Sequence, residues 1–281
     1  MEVSEGHFQI LAPESRAIPM DSTPLSAPFQ VVTAGPTSDP VERLRRMGQT
    51  IGLWGEETDF LRGFRQIFRN FDFRGKTMLE LGCGKGILCL WAALKGAQEV
   101  VGLEPLIRTK HQTSEDRKDF QAMAEELALP QAKIAYCKVQ EYNAPDSTFD
   151  LVLSVGSVNL LDEKSCIRLR ESPLAVMSYE RIFRRVARMM KPGGKLIIMD
   201  AAQRNFFGDL SLRNPVAPCT EWFKHQQPEY WSDLLGNCGF GRAKIRWTSG
   251  THLRDLYIPY IPKWVAYFGH SNFRLEMTRV R

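Results

Sequence analysis

The stretch Glu80-Leu81-Gly82-Cys83-Gly84-Lys85-Gly86 sets an acidic residue two positions ahead of three alternating glycines. Glycines at this spacing let a ligand lie against bare backbone. The apolar run Thr77-Met78-Leu79 leads in, and Ile87-Leu88, Leu90-Trp91 and Leu94 follow at helical spacing, so the glycines form a turn from a strand into a helix opening near Gly86. The unpaired N–H groups and positive dipole end of that helix suit an anionic group, and a carboxylate at Glu80 suits a cationic one. Other chemistry-bearing residues lie further along. Thr220-Glu221-Trp222-Phe223-Lys224-His225-Gln226-Gln227-Pro228 gathers a carboxylate, two aromatics, an imidazole and amides. His225 or Glu221 can take a proton from a hydroxyl or amine. Asn159, with Ser157 close behind an apolar run, can orient a reacting group or cap a helix.

The spacing narrows the choice of ligand. A dinucleotide fingerprint needs glycine at positions one, three and six, and Ile87 stands sixth counting from Gly82; no Gly-Lys-Ser/Thr closes a P-loop. The remaining pattern, an acidic residue before G-x-G-x-G, resembles motif I of the class I S-adenosylmethionine-dependent methyltransferases. The resemblance implies S-adenosylmethionine as cofactor, its carboxylate at the turn of Gly82, Cys83, Gly84 and Gly86 and its ammonium and sulfonium near Glu80. Glu104 ends a second strand, Glu99 to Leu103, and Pro105 fixes it there; a carboxylate so placed accepts ribose hydroxyls. A third strand, Ile134 to Val139, precedes Phe149-Asp150-Leu151-Val152-Leu153-Ser154, which resembles motif IV and brings Ser154 to the cofactor. Many family members carry an Asp beside the adenine where Lys138 stands here, leaving Val139, Gln140 and Glu141 as the substitutes.

The elements that must hold these residues alternate. Tyr179, Ile182-Phe183, Val186-Ala187 and Met190 mark an amphipathic helix, Lys191-Pro192-Gly193-Gly194 stops it, and Lys195 to Asp200 is a fifth strand. Pro228 to Cys238 is a further helix; Phe240 to Trp247 and Asn272 to Val280 are final strands. This order argues for an α/β fold with helices on both faces of a parallel sheet. The resemblance makes it a Rossmann-like sheet of seven strands, mostly parallel with an antiparallel last strand. Residues 1–40, rich in Pro, Ser and Thr, read as a flexible arm and 41–74 as a helical cap; 75–281 form the methyltransferase domain, with substrate-side insertions at 201–227 and 250–264. The second insertion carries His252, Tyr257 and Tyr260. Trp54, within Gly52-Leu53-Trp54-Gly55, is either a lid over the cofactor or a core residue.

Composition excludes several classes. The 281 residues are 43% hydrophobic and 25% charged, without the roughly 20-residue apolar run of a membrane span, and Met1-Glu2-Val3-Ser4-Glu5 lacks the basic and apolar regions expected of a secretory signal. Six cysteines without a C-x-x-C pair point to a reducing, cytoplasmic setting with neither zinc nor disulfides. The formal charge is +5, and residues 242–281 hold eight Lys/Arg against two acidic residues. Arg242, Lys244 and Arg246 alternate as one solvated sheet face would, so no nucleic-acid partner is expected. Ser154-Val155-Gly156-Ser157 stands where adenine-N6 and glutamine methyltransferases carry Asn/Asp-Pro-Pro-aromatic, and no Pro-Cys nucleophile is present. The expected reaction is methyl transfer to an O or N atom of a small molecule of natural-product or saccharide type. Methylation of RNA or protein through the basic C-terminal region, and a non-catalytic cofactor-binding regulator, are the alternatives.

Overall fold

The sheet is built from short runs of aliphatic residues that alternate between two faces. A computed structural model describes residues 39–50, 57–69, 71–105, 114–249 and 259–280, all within one compact unit, Ala34–Arg281. Its strands are β1 (Thr77–Leu81), β2 (Glu99–Leu103), β3 (Ala132–Ala135), β4 (Phe149–Val155), β5 (Met190–Ala201), β6 (Lys244–Thr248), β7 (Tyr260–Ile261) and β8 (Asn272–Thr278), in the spatial order β3-β2-β1-β4-β5-β8-β6-β7. The first five pair in parallel; β8 enters antiparallel between β5 and β6. Among the described residues there are eight strands rather than seven. The eighth, β7, pairs antiparallel with β6 through Thr248↔Tyr260 and Trp247↔Ile261. Two residues are too short to show a period, which is why the sequence reads this stretch as an insertion.

Among the described residues the helices are α1 (Pro40–Thr50), α2 (Glu57–Phe68), α3 (Ile87–Leu94), α4 (Ser114–Glu126), α5 (Glu163–Ile167), α6 (Pro173–Met189), α7 (Phe206–Asp209), α8 (Pro228–Gly236) and α9 (Lys263–Tyr267). They cover both sheet faces, as the two buried clusters show. Leu79, Leu81, Val152, Leu196 and Ile198 pack under Tyr179, Phe183 and Trp231 of α6 and α8. Met78, Val100, Leu151 and Ile197, of opposite parity in their strands, pack under Leu44, Phe64, Leu90, Trp91 and Met123 of α1 to α4.

Local sequence explains the boundaries. Ser172 caps α6, accepting from the Ala175 N–H at 3.4 Å, and Pro173 opens its first turn. Lys191–Gly194 ends that helix as expected but lies inside β5, where pairing jumps from Phe149↔Met190 to Leu151↔Lys195. A Cβ on Gly194 would stand 2.8 Å from the Lys191 carbonyl oxygen, so only glycine fits this bulge. The predicted third strand, 134–139, is shorter and earlier, and the chain turns at Cys137, whose N–H donates to the Ala135 oxygen. The cap at 41–74 divides into α1 and α2; Trp54, His252 and Tyr257 lie outside the described residues, as does the expected arm through residue 38. Among the described residues no helix is long and apolar enough to cross a membrane.

Candidate active site

The parallel strands all end at one sheet edge, and the loops leaving them enclose two adjoining cavities. The first holds about 310 Å³ and is lined by the glycine turn, the end of β2 and the segment after β3. Gly82, Gly84 and Gly86 all have positive φ, at 69°, 53° and 74°. They serve different needs. A Cβ on Gly82 would come within 2.5 Å of the Ser157 Cβ, and one on Gly86 within 2.5 Å of the Phe120 ring, so both are demanded by packing. A Cβ on Gly84 would meet nothing within 4 Å, because this residue borders the cavity. The turn is locked onto β2: the N–H groups of Gly82 and Cys83 donate to the Leu103 oxygen at 2.8 and 3.0 Å, and that of Gly84 donates to Oε2 of Glu104 at 2.7 Å.

The residues expected at the cofactor divide in their placement. Gly82, Gly84, Glu104, Pro105, Val139 and Gln140 line the first cavity. Ser154 lies buried behind it, its hydroxyl 2.7 Å from that of Ser157, which does line it and donates to the Leu81 oxygen at 2.5 Å. Glu141 turns back to accept from the Lys138 N–H at 3.1 Å. Gly86 is the N-cap of α3, and Cys83 is buried under the turn.

Glu80 is placed least as its type suggests. Its carboxyl is 2% exposed and accepts from the Cys89 thiol of α3 at 3.0 Å, on the sheet face of Met78. Burial pushes its pKa up to about 8; the Cys89 hydrogen bond opposes this and the Glu104 charge adds to it. At neutral pH Glu80 is therefore mostly an uncharged acid beneath the turn, and Glu104 is the carboxylate at the cavity. Leu81, Leu103, Pro105, Val139, Leu160 and Leu161 add apolar lining, and Lys138, Gln140 and Ser157 add polar lining. A carboxylate, bare glycine backbone and apolar walls together fit the ribose, amino-acid and adenine parts of S-adenosylmethionine.

The second cavity, about 540 Å³, meets the first at Gly156 and Leu160, which line both. Gly156, at φ 61°, again leaves space where a Cβ would stand. Into this cavity the fold brings all three residues singled out for chemistry, Asn159, Glu221 and His225, from two separate loops. It adds Asp200 at the end of β5, with Thr248 and Ser249 at the end of β6. Nδ1 of His225 stands 3.1 Å from Oδ1 of Asp200, off the line of a hydrogen bond. Four buried side-chain atoms here have no hydrogen-bond partner: Oδ1 of Asn159, Oδ2 of Asp200, Nδ1 of His225 and Oγ of Ser249. Buried polar groups are ordinarily satisfied, so four such atoms in one cavity mark a place for a polar ligand. Glu221 is engaged at the rim, 2.7 Å from Nζ of Lys224, which also reaches Glu163 at 3.2 Å.

Helix α2 roofs the second cavity with Gly63, Gln66 and Ile67. Three bonds tie it to the far side of the sheet. Arg274, 1% exposed, donates to the Ile67 oxygen at 2.9 Å, the Gln66 amide donates to the Pro259 oxygen at 2.6 Å, and the Tyr260 hydroxyl donates to the Gln66 oxygen at 3.2 Å.

A family described as a methyltransferase domain matches residues 53–242, a span that holds the glycine turn, Glu104 and His225. The chain belongs to the class I S-adenosylmethionine-dependent methyltransferases. This methyltransferase domain is similar to the ribosomal protein L11 methyltransferase of Photobacterium profundum, 27% identical over 157 residues, or 54% of this chain and 44% of that protein. It is also similar to norajmaline N-methyltransferase of Rauvolfia serpentina, 26% identical over 144 residues, or 50% and 41%. The chain thus spans less than half the length of these two relatives. In fold it resembles an S-adenosylmethionine-dependent methyltransferase of Thermotoga maritima, with a TM-score of 0.50, 18% identity, and 86% and 96% of the two chains covered.

Proposed function

We propose that this methyltransferase-family chain transfers a methyl group from S-adenosylmethionine to an O or N atom of a small molecule of natural-product or saccharide type, held in the cavity under α2. The observation that carries this reading is the junction at Gly156 and Leu160 of a cofactor-fitting cavity with a second one holding four unpartnered polar atoms. A volume of about 540 Å³ lies in the range of small-ligand sites. The bound cofactor supplies a methyl group already activated by its sulfonium, so the chain's task is to orient the acceptor, exclude water and remove a proton. His225 is the base. The Asp200 carboxylate, with Oδ1 3.1 Å from Nδ1, stabilises the imidazolium that forms. Asn159 orients the acceptor. Glu221, held by Lys224, shapes the rim. The six cysteines are free, which supports a reducing, cytoplasmic setting.

Purified protein, methyl-labelled S-adenosylmethionine and a fractionated metabolite extract test the proposal. Label is expected in a small-molecule fraction. Label confined to RNA or protein would overturn it, as would tight cofactor binding without turnover on any fraction.

A further inference from the structure

The character of the unpartnered atoms goes further than their number. This inference rests on the small-molecule reading above and narrows its acceptor. Asp200 is 7% exposed, its side chain 2%, and its Oδ2 has no partner. A buried carboxylate is costly unless a cation or several donors compensate it. Among the described residues the only cationic side chain recorded against it is His225, itself charged only when protonated. Lys224, the one lysine lining the cavity, is committed to Glu221 and Glu163. In the same cavity, Oδ1 of Asn159, a residue 5% exposed, is a second buried oxygen that only accepts. The cavity thus presents a buried carboxylate, a neutral acceptor and the imidazole of His225.

We infer that the methyl acceptor is an amine that enters as its ammonium ion. A hydroxyl brings one donor and no charge, whereas a primary ammonium brings three donors and the positive charge that Asp200 lacks. It donates to Oδ2 of Asp200 and to Oδ1 of Asn159 and gives its third proton to His225. The freed nitrogen lone pair forms the bond to the methyl carbon as the carbon–sulfur bond breaks with its electrons on sulfur. The methylated ammonium and the neutral thioether leave, and His225 returns its proton to water.

The test is a binding measurement on the full chain saturated with S-adenosylhomocysteine, using matched fragment pairs that differ only in –CH2NH3+ against –CH2OH on aryl and sugar-like bodies. Ligand-observed magnetic resonance reads the affinities. The amine of a pair is expected to bind at least about tenfold tighter than its alcohol, and Asp200→Asn is expected to erase that preference while S-adenosylhomocysteine affinity stays unchanged. Alcohols that bind as well as amines, or a preference that survives in Asp200→Asn, would overturn the amine assignment and leave the small-molecule reading standing. Binding of neither class would refute both. Should Asp200→Asn fail to fold, the comparison of pairs on the unaltered chain decides alone.

Discussion

Replacing Glu80 by Gln should make the protein more stable at high pH and nearly neutral in effect at low pH. The carboxyl is buried against Cys89 and titrates near 8 in the folded chain, against a reference of 4.5. A folded pKa above the unfolded one means that the folded state holds its proton longer. The stabilising effect is complete below about pH 4.5 and is lost as pH rises toward 8. Between pH 6 and pH 9 this amounts to a loss of about 2–3 kcal/mol, which Gln, unable to ionise, does not suffer. For a domain of this size that difference corresponds to a melting-temperature gain of roughly 5–10 °C for Glu80→Gln at pH 9 relative to its effect at pH 6. Urea unfolding of both proteins from pH 5.5 to 9 would measure it. Parallel stability profiles would refute the reasoning and mean that Glu80 is ionised, and therefore solvated or paired, in the folded chain.

Gly82→Ala should destabilise by roughly 2–4 kcal/mol in denaturant melts, from the clash with the Ser157 Cβ added to a positive φ, whereas Gly84→Ala should cost only about 1 kcal/mol. Once an acceptor is in hand, His225→Ala should lower kcat by about 10²- to 10⁴-fold and leave S-adenosylhomocysteine affinity within twofold; an equal loss of both would assign His225 to cofactor binding instead. Arg274→Met removes the 2.7 Å partner of Glu276 and the tether on Ile67. It should cost about 3 kcal/mol, the low end for a broken buried pair because Lys195 still reaches Glu276 at 3.3 Å, and loosened α2 should expose the cavity to faster amide exchange at Gly63–Ile67.

Much of this architecture is legible in the residues because local signals agree with one another. Strand β1, the glycines and α3 form one continuous pattern, and the amphipathic helix before Lys191-Pro192-Gly193-Gly194 is observed as α6. The meeting of Asn159, Glu221 and His225 in one cavity follows from their shared position on loops at the strand ends. Asp200 was within reach: a carboxylate closing the apolar run Leu196-Ile197-Ile198-Met199 lies at that same edge. Glu80 was too, since strand parity puts it on the face of Met78, toward α3, whereas its charge type alone points to the ligand. Ser249 gives no sequence signal, because its place depends on β8 entering between β5 and β6. Glu141 and Ser154 carry suitable chemistry, but their partners are the adjacent Lys138 backbone and Ser157, contacts that a helix-or-strand pattern does not encode.

The most direct test of the cofactor site is calorimetric titration of S-adenosylhomocysteine into the unaltered chain and into Gly84→Arg. Gly84 borders the first cavity with nothing within 4 Å of its absent Cβ, so an arginine there can occupy the ligand's space without disturbing the core. The unaltered chain should bind, and Gly84→Arg, with its melting temperature within a few degrees, should bind at least about a hundredfold more weakly, a loss of roughly 3 kcal/mol. Equal affinity in the two proteins would contradict the placement of the cofactor on this turn.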